Sequence, residues 1–487
     1  MASGVASEVP PLEGPQPRAW PHVDEGVGNR EAQVRRGKVA RSLAPRVSQG
    51  AWQPGIGRAD PVTILMDQAS ARVPELVPLR NARMLASPFA FYRGAAAIMA
   101  ADLAHTPRSG ISVQLCGDAH LSNIGGYAAP DRELVFDLND FDETLPGPWE
   151  WDVKRLMASL AIACREGGFG DRDRASVVRS AAGEYRHAMR EFAAMGSLQV
   201  HYSRMTVADV RARWGDEADK KTRRAFDRNV EKSMTKDSAR AAAKLTRSDG
   251  GSPRIASDPP LVVPISELLG SHDAHAFEEM VEQTLRSYRA SLSVGRRSLL
   301  ERYRFVDAAR KVVGVGSVGT RAWVVLMLGI VDDEPLMLQL KEANPSVLAG
   351  YAGRSRYENQ GQRVVVGQQT LQSASDIFLG WTRIAGVDGV ARDFYIRQLW
   401  DWKMSFEVAG QSPSTMRIYA QLCGWILARA HAASGDRVAI ASYLGRGDVF
   451  DVAMADFAEA YADQNERDYN RFVNGAREHR FEVSPEV

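Results

Sequence analysis

The sequence predicts an α+β protein of two lobes, one large and mainly helical, the other a small antiparallel β lobe. Three observations carry this. Apolar residues recur at helical spacing over most of the chain, as at Val153, Leu156, Met157, Leu160 and Cys164. Between Val312 and Ala343 the pattern changes to strand, glycine turn, strand, Asp332-Asp333-Glu334-Pro335 turn and a further strand. Between Ser112 and Asp152 two short apolar runs, Val113-Gln114-Leu115-Cys116 and Leu134-Val135-Phe136, each open into a polar cluster.

In chain order, residues 1–30 are rich in Pro and Gly, lack the apolar core of a signal peptide and read as a disordered tail. Residues 31–300 read as a helical lobe that contains the acidic block, 301–405 as the β lobe, and 406–487 as a helical segment returning to the first lobe. Ser87 and Pro88 predict the cap and first turn of a buried helix running through FAFYRGAAAIMAADLA. Arg93 interrupts its apolar surface; a buried arginine demands an anionic partner, so Arg93 is a candidate site residue beside a plain structural pair. Pro148 opens the next helix, with Glu150 and Asp152 in its dipole-favoured first turn; Asp152 is either that alone or a brace for the backbone near Asp118. The basic run Lys220 to Lys244 is interleaved with acids, the pattern of a solvated helix. Gly250 to Pro264 is a turn-rich connection, and Phe394 to Leu399 an edge or connecting strand. Met416 to His431 is an amphipathic helix whose His431 and Asp436 a capped terminus explains.

Composition narrows the function. With 487 residues, 45% of them hydrophobic, the chain can bury a large core. A net charge of +1 and sparse aromatics in the basic run argue against nucleic acid as a partner. No apolar run approaches the ~20 residues of a membrane span. Cys116, Cys164 and Cys423 form neither a disulfide framework nor a zinc pattern, which points to a reducing cytoplasm.

The chemistry is concentrated in two stretches. Asp118, His120, Asn123, Asp137, Asp140 and Asp142 lie around the two apolar runs, and packed carboxylates repel one another unless a cation holds them. That set suits magnesium-dependent phosphoryl transfer: one Asp accepts a hydroxyl proton, while an Asn oxygen and a later Asp ligate Mg²⁺. Asx-turns in a solvated acidic loop are the plain alternative. In the second stretch, Gly314, Gly316, Ser317 and Gly319 form a turn that lays backbone N–H groups over phosphates, or a plain hairpin. Strand alternation places Lys341 on one face with Met337 and Gln339, a candidate for α and β phosphates, with Glu358 as its possible partner.

SPFAFYRGAA, QLCGDAHLSNIG, FDLNDFDETLPGPWEWDVKRL, GVGSVGTRAWVVL, LQLKEA, DIFLGW, CGWILARAHAASGD and YADQNERDY together resemble the bacterial domain-of-unknown-function family 2252, over roughly residues 30 to 475. The GDAHLSN turn and the acidic strand after it also resemble, more remotely, aminoglycoside phosphotransferases and other protein-kinase-like enzymes. That second resemblance implies ATP and Mg²⁺ as cofactors, Asp118 as catalytic base with His120 beside it, Asn123 and Asp140 as metal ligands ahead of Asp137, and Asp152 as the brace of the turn. Cys116 stands where those enzymes carry a histidine. Their glycine hairpin and lysine precede the catalytic turn, whereas here they follow it, so the resemblance implies a circular permutation, with the helix at 416–431 leading spatially into the turn at 117–123. The substrate is a nucleotide plus an unknown hydroxyl compound. A nucleotidyltransferase, an inactive nucleotide-binding module and a metal-dependent hydrolase using Asp118 and His120 remain as alternatives.

Overall fold

The computed structural model describes residues 29–484 except 248–250, 270–273, 313, 386–388 and 400. Nearly all of the tail expected at 1–30 therefore lies outside the described residues, as does Trp400.

The helix Trp149–Glu166 is the axis of the helical packing, and every residue from Trp149 to Cys164 is buried, charged ones included. A helix enclosed all round must be packed by others, and Asp171–Ala194, Pro413–Ser434 and Val449–Arg477 supply that packing. Helices Asp171–Ala194 and Pro413–Ser434 touch at Gly424, where a Cβ would collide with the Ala181 carbonyl. Trp149 stacks on Tyr185 at 5.7 Å, a contact worth about 0.5–1.5 kcal/mol beyond its area. The helix expected from Pro88 onward forms as two, Pro88–Gly94 and Ala96–Leu103, with Ser87 accepting from the Ala90 N–H.

Fourteen strands among the described residues complete the fold. β1 (Ser112–Leu115) pairs antiparallel with β4 (Leu145–Pro148). A four-stranded sheet holds β2 (Ile124–Ala128), β3 (Leu134–Leu138), β5 (Met205–Thr206) and β14 (Met404–Ser405), in the order β14-β2-β3-β5. The short pair β6 (Thr246–Arg247) and β7 (Arg254–Ile255) forms a ladder of its own, tied to the strand Tyr303–Lys311 by the Ile255 N–H, which donates to Asp307. The largest sheet among the described residues is antiparallel and holds β8 (Val262–Pro264), β9 (Tyr303–Lys311), β10 (Ala322–Gly329), β11 (Pro335–Glu342), β12 (Gly380–Ala385) and β13 (Ala391–Gln398), ordered β12-β13-β11-β10-β9-β8.

This sheet reaches further back in sequence than residue 301. β8 pairs with β9, helix Ser238–Leu245 packs on the face that holds Val324 and Met337, and Tyr288 and Leu292 cover the face that holds Val325 and Leu338. The strand at Phe394–Leu399 is interior rather than an edge, because β12 pairs with its outer side. β12 contains Gly380 and Arg383 and alternates weakly, which hid it from the sequence pattern. Among the described residues no helix is long and apolar enough to cross a membrane.

Candidate functional site

The acidic turn is built from a strand end and a hairpin. Gly117 follows β1 with φ +88°, a conformation open to glycine, and a Cβ there would also collide with the Glu143 carbonyl. Beneath it, Asp152 in the first turn of helix Trp149–Glu166 accepts the Cys116 N–H at 2.7 Å and the Gly117 N–H at 3.0 Å. His431 Nε2 lies 3.3 Å from the same carboxylate, and the Tyr185 hydroxyl lies 2.9 Å from His431 Nδ1. Asp152 and His431 are thus more than a helix-dipole residue and a helix terminus. They fix the backbone on which Asp118 stands.

Asp118 faces a cavity of about 310 Å³ together with His120, Asn123, Asp140, Asp142, Arg72, Arg93 and the turn Gly314–Thr320. Burial works against the charge of Asp118, but Arg155, 2.7 Å away, outweighs it and holds the carboxyl below its usual range. His120 Nε2 is 3.8 Å from Asp118, and burial pushes the imidazole down to about 3, so the ring is neutral. The Asn123 amide donates to the Asp118 carbonyl at 2.9 Å, and among the described residues its Oδ1 accepts no hydrogen bond. The β2–β3 hairpin sets Asn123 beside the acidic strand end, with Asn139 N–H donating to the Asn123 carbonyl.

The second stretch meets the first here. β9 and β10 are joined by the glycine segment; Gly314 and Gly319 have φ of +68° and +89°, while a Cβ on Gly316 would lie 3.1 Å from the Arg93 carbonyl. Ser317 Oγ is 3.4 Å from Asp142. Lys341, near the end of β11, donates to Asp142 at 2.7 Å and lies 4.0 Å from Asp140. Burial opposes its charge, yet these two carboxylates hold the ammonium above its usual range. The same ammonium, with the Tyr395 hydroxyl at 2.7 Å, keeps Asp142 low against its burial. Asp140 goes the other way: burial and then the neighbouring Asp142 push its carboxyl up.

Two expected residues stand elsewhere. Asp137 points across β3 to Ser373, whose N–H and hydroxyl donate to it at 2.8 and 2.9 Å, because alternate strand residues face opposite sides. Glu358 is exposed and precedes the helix Gln360–Leu371, so Lys341 takes Asp142 and Asp140 as its partners instead.

The site also contains residues the sequence reading passed over. Arg363 donates to the carbonyls of Thr144, Asp142 and Asn344, tying the acidic strand end to the segment after Lys341. Arg72, Tyr395 and Arg397 come from distant elements without a local signal. Arg155 carried one: it stands in a helix whose Val153, Leu156, Met157 and Leu160 mark a buried stretch, where a charged side chain needs a partner.

Among the described residues no group of three or more His, Cys, Asp or Glu could by itself hold a metal ion. Mg²⁺ needs fewer protein ligands, since waters and phosphates complete its shell. Asp140 fits that role, its carboxylate receiving among the described residues the Asp142 N–H at 3.3 Å and a lysine at 4.0 Å, as does the Oδ1 of Asn123, which accepts no hydrogen bond from them. A largely apolar cavity of about 390 Å³ lies on the opposite face of the sheet, lined by Val325, Leu338 and Phe394, and contains none of these residues.

Fold and site together define an α+β protein in which a lysine near the end of an antiparallel sheet strand and an acidic turn braced by a buried helix line one polar cleft. The chain belongs to a family described as an uncharacterised protein conserved in bacteria, DUF2252, whose model matches residues 72–475. No curated protein and no solved structure matches it.

Proposed function

We propose that the protein is an ATP- and Mg²⁺-dependent phosphotransferase of protein-kinase-like architecture in circularly permuted order, acting on a hydroxyl-bearing substrate. One observation carries the reading: Lys341 of the β lobe reaches Asp142 at 2.7 Å and Asp140 at 4.0 Å, beside the glycine turn and in one cleft with Asp118 and Asn123. A lysine, a glycine turn, a metal-binding carboxylate and a base are the parts such transfer needs. The permuted order gains support from helix Pro413–Ser434. Tyr419 donates to the Leu121 and Ile124 carbonyls, and Gly435 packs on Ser112 and Val113, so this helix runs into the start of the acidic turn.

In this reading the acceptor hydroxyl gives its proton to Asp118, which Arg155 and Asn123 hold in place. Lys341 and the N–H groups of the glycine turn receive the donor's phosphates. Asp140 and Asn123 would hold Mg²⁺, which neutralises phosphate charge when bound. The buried free cysteines agree with a cytoplasmic setting. A second reading, a nucleotide-binding module without turnover, is favoured by the Arg155 pair, which lowers the basicity of Asp118.

Incubation with ATP labelled separately at the α and γ positions, with wild type and Asp140→Asn, tests the proposal. Release or transfer of the γ label that Asp140→Asn reduces at least ~100-fold is expected. Transfer of the α label would mean a nucleotidyltransferase, and binding without turnover the second reading.

A further inference from the structure

The arginines in and around the cleft have visible tasks, with one exception. Arg155 holds Asp118, Arg363 binds three carbonyls, Arg397 donates to the Asn139 carbonyl, and Arg72 donates to the Val318 carbonyl. Arg93 lines the same cavity, yet among the described residues its guanidinium makes no hydrogen bond and no ion pair, and its Nε is buried without a partner. A half-buried guanidinium whose Nε is shut off from water and that no carboxylate contacts directly is costly to keep, so a ligand anion is the natural partner.

Its placement is specific. The charges that act on Arg93 are those of Asp118 and Asp140, whereas Arg72 faces Glu143, Asp142 and Glu342, on the side of Lys341. Arg93 therefore stands at the junction between base and metal-binding carboxylate. It is also held there in advance. Arg155 donates through Nη2 to the Tyr92 carbonyl and through Nε to Asp118, so the residue before Arg93 and the base are gripped by one side chain. Arg80 donates to the Gly94 carbonyl on the other side.

We propose that Arg93 is the phosphate-oxygen receptor of the cleft, its planar fork binding two oxygens of the phosphoryl group as that group passes from ATP to the acceptor. This role rests on the phosphotransferase reading. In the step, the acceptor oxygen forms a bond to the γ phosphorus and the bond from that phosphorus to the β–γ bridging oxygen breaks. The electron pair leaves with ADP, the hydroxyl proton goes to Asp118, and Arg93 keeps its own protons while taking the charge on the transferred oxygens.

The test is calorimetric titration of inorganic phosphate into wild type, Arg93→Met and Arg93→Lys, alongside turnover of γ-labelled ATP. Arg93→Met should weaken phosphate binding at least ~10-fold, and Arg93→Lys less, because an ammonium supplies charge without the fork. Without phosphate, Arg93→Met should melt no lower than wild type, since it removes a half-buried charge that makes no ion pair. Turnover should fall ~100-fold or more in Arg93→Met and recover in part when guanidinium ion is added. Equal phosphate binding in wild type and Arg93→Met, or none in wild type, would overturn the proposal, as would a clear loss of stability in phosphate-free Arg93→Met. Phosphate binding that depends on Arg93 in a protein that never releases the γ label would keep the receptor and remove the phosphotransferase reading.

Discussion

Replacing Asp152 with Ala strips the support from under the acidic turn. Its carboxylate is almost fully buried and satisfies two backbone N–H groups, those of Cys116 and Gly117, while facing His431. Leaving a buried N–H unpaired costs about 1–3 kcal/mol, so two of them plus an imidazole amount to roughly 3–5 kcal/mol. Unfolding entropy of about 2.1 cal/mol/K per residue gives roughly 1 kcal/mol/K for a chain this long, so the melting temperature should drop by roughly 3–5 °C. His431→Ala should cost less, because Asp152 keeps both N–H groups. Differential scanning calorimetry of the two variants reads this directly. A melting temperature for Asp152→Ala within about 1 °C of wild type would refute the idea that this carboxylate carries the turn.

Other outcomes follow from the same geometry. His120, neutral in the fold with a pKa of about 3 against 6.5, binds fewer protons folded than unfolded between those values. Stability is therefore lost as pH falls from 6.5 toward 3, by on the order of 3–5 kcal/mol; urea titrations across that range should show the slope in wild type and a shallower one in His120→Gln. Gly117→Ala should cost about 1–3 kcal/mol through its left-handed φ and the Glu143 carbonyl, read as a lower urea midpoint. Lys341→Met leaves Asp142 and Asp140 without their ammonium; in a double-mutant cycle with Asp142→Asn the coupling energy should be on the order of 2 kcal/mol.

Much of this was legible in the chain, for identifiable reasons. Strand alternation placed Lys341 on the face it takes, because a period of two leaves no freedom once Leu336, Leu338 and Leu340 must share one side of β11. Ser87 and Pro88 announced a helix start by chemistry that acts within three residues. The acidic turn announced itself because it needs more polar groups than a turn does. What failed was non-local. Asp137 and Asp140 are three residues apart, and only the pairing of β3 with its neighbours decides that one faces Ser373 and the other the cleft. Glu358 was matched to Lys341 by charge alone, while the true partner, Asp142, lies far back in the chain. β12 escaped although Trp381, Thr382 and Ile384 favour strands, because its six residues bury without a clean alternation and only pairing with β13 fixes them as a strand.

The central claim is that the glycine turn with Lys341 and the acidic turn receive one triphosphate between them. A crystal structure with Mg²⁺ and a non-hydrolysable ATP analogue measures this most directly. The account predicts phosphates against Ser317 and Lys341, with the metal on Asp140 and Asn123 and the terminal phosphate facing Asp118. A nucleotide bound away from this cleft, or a metal held without Asp140, would contradict it.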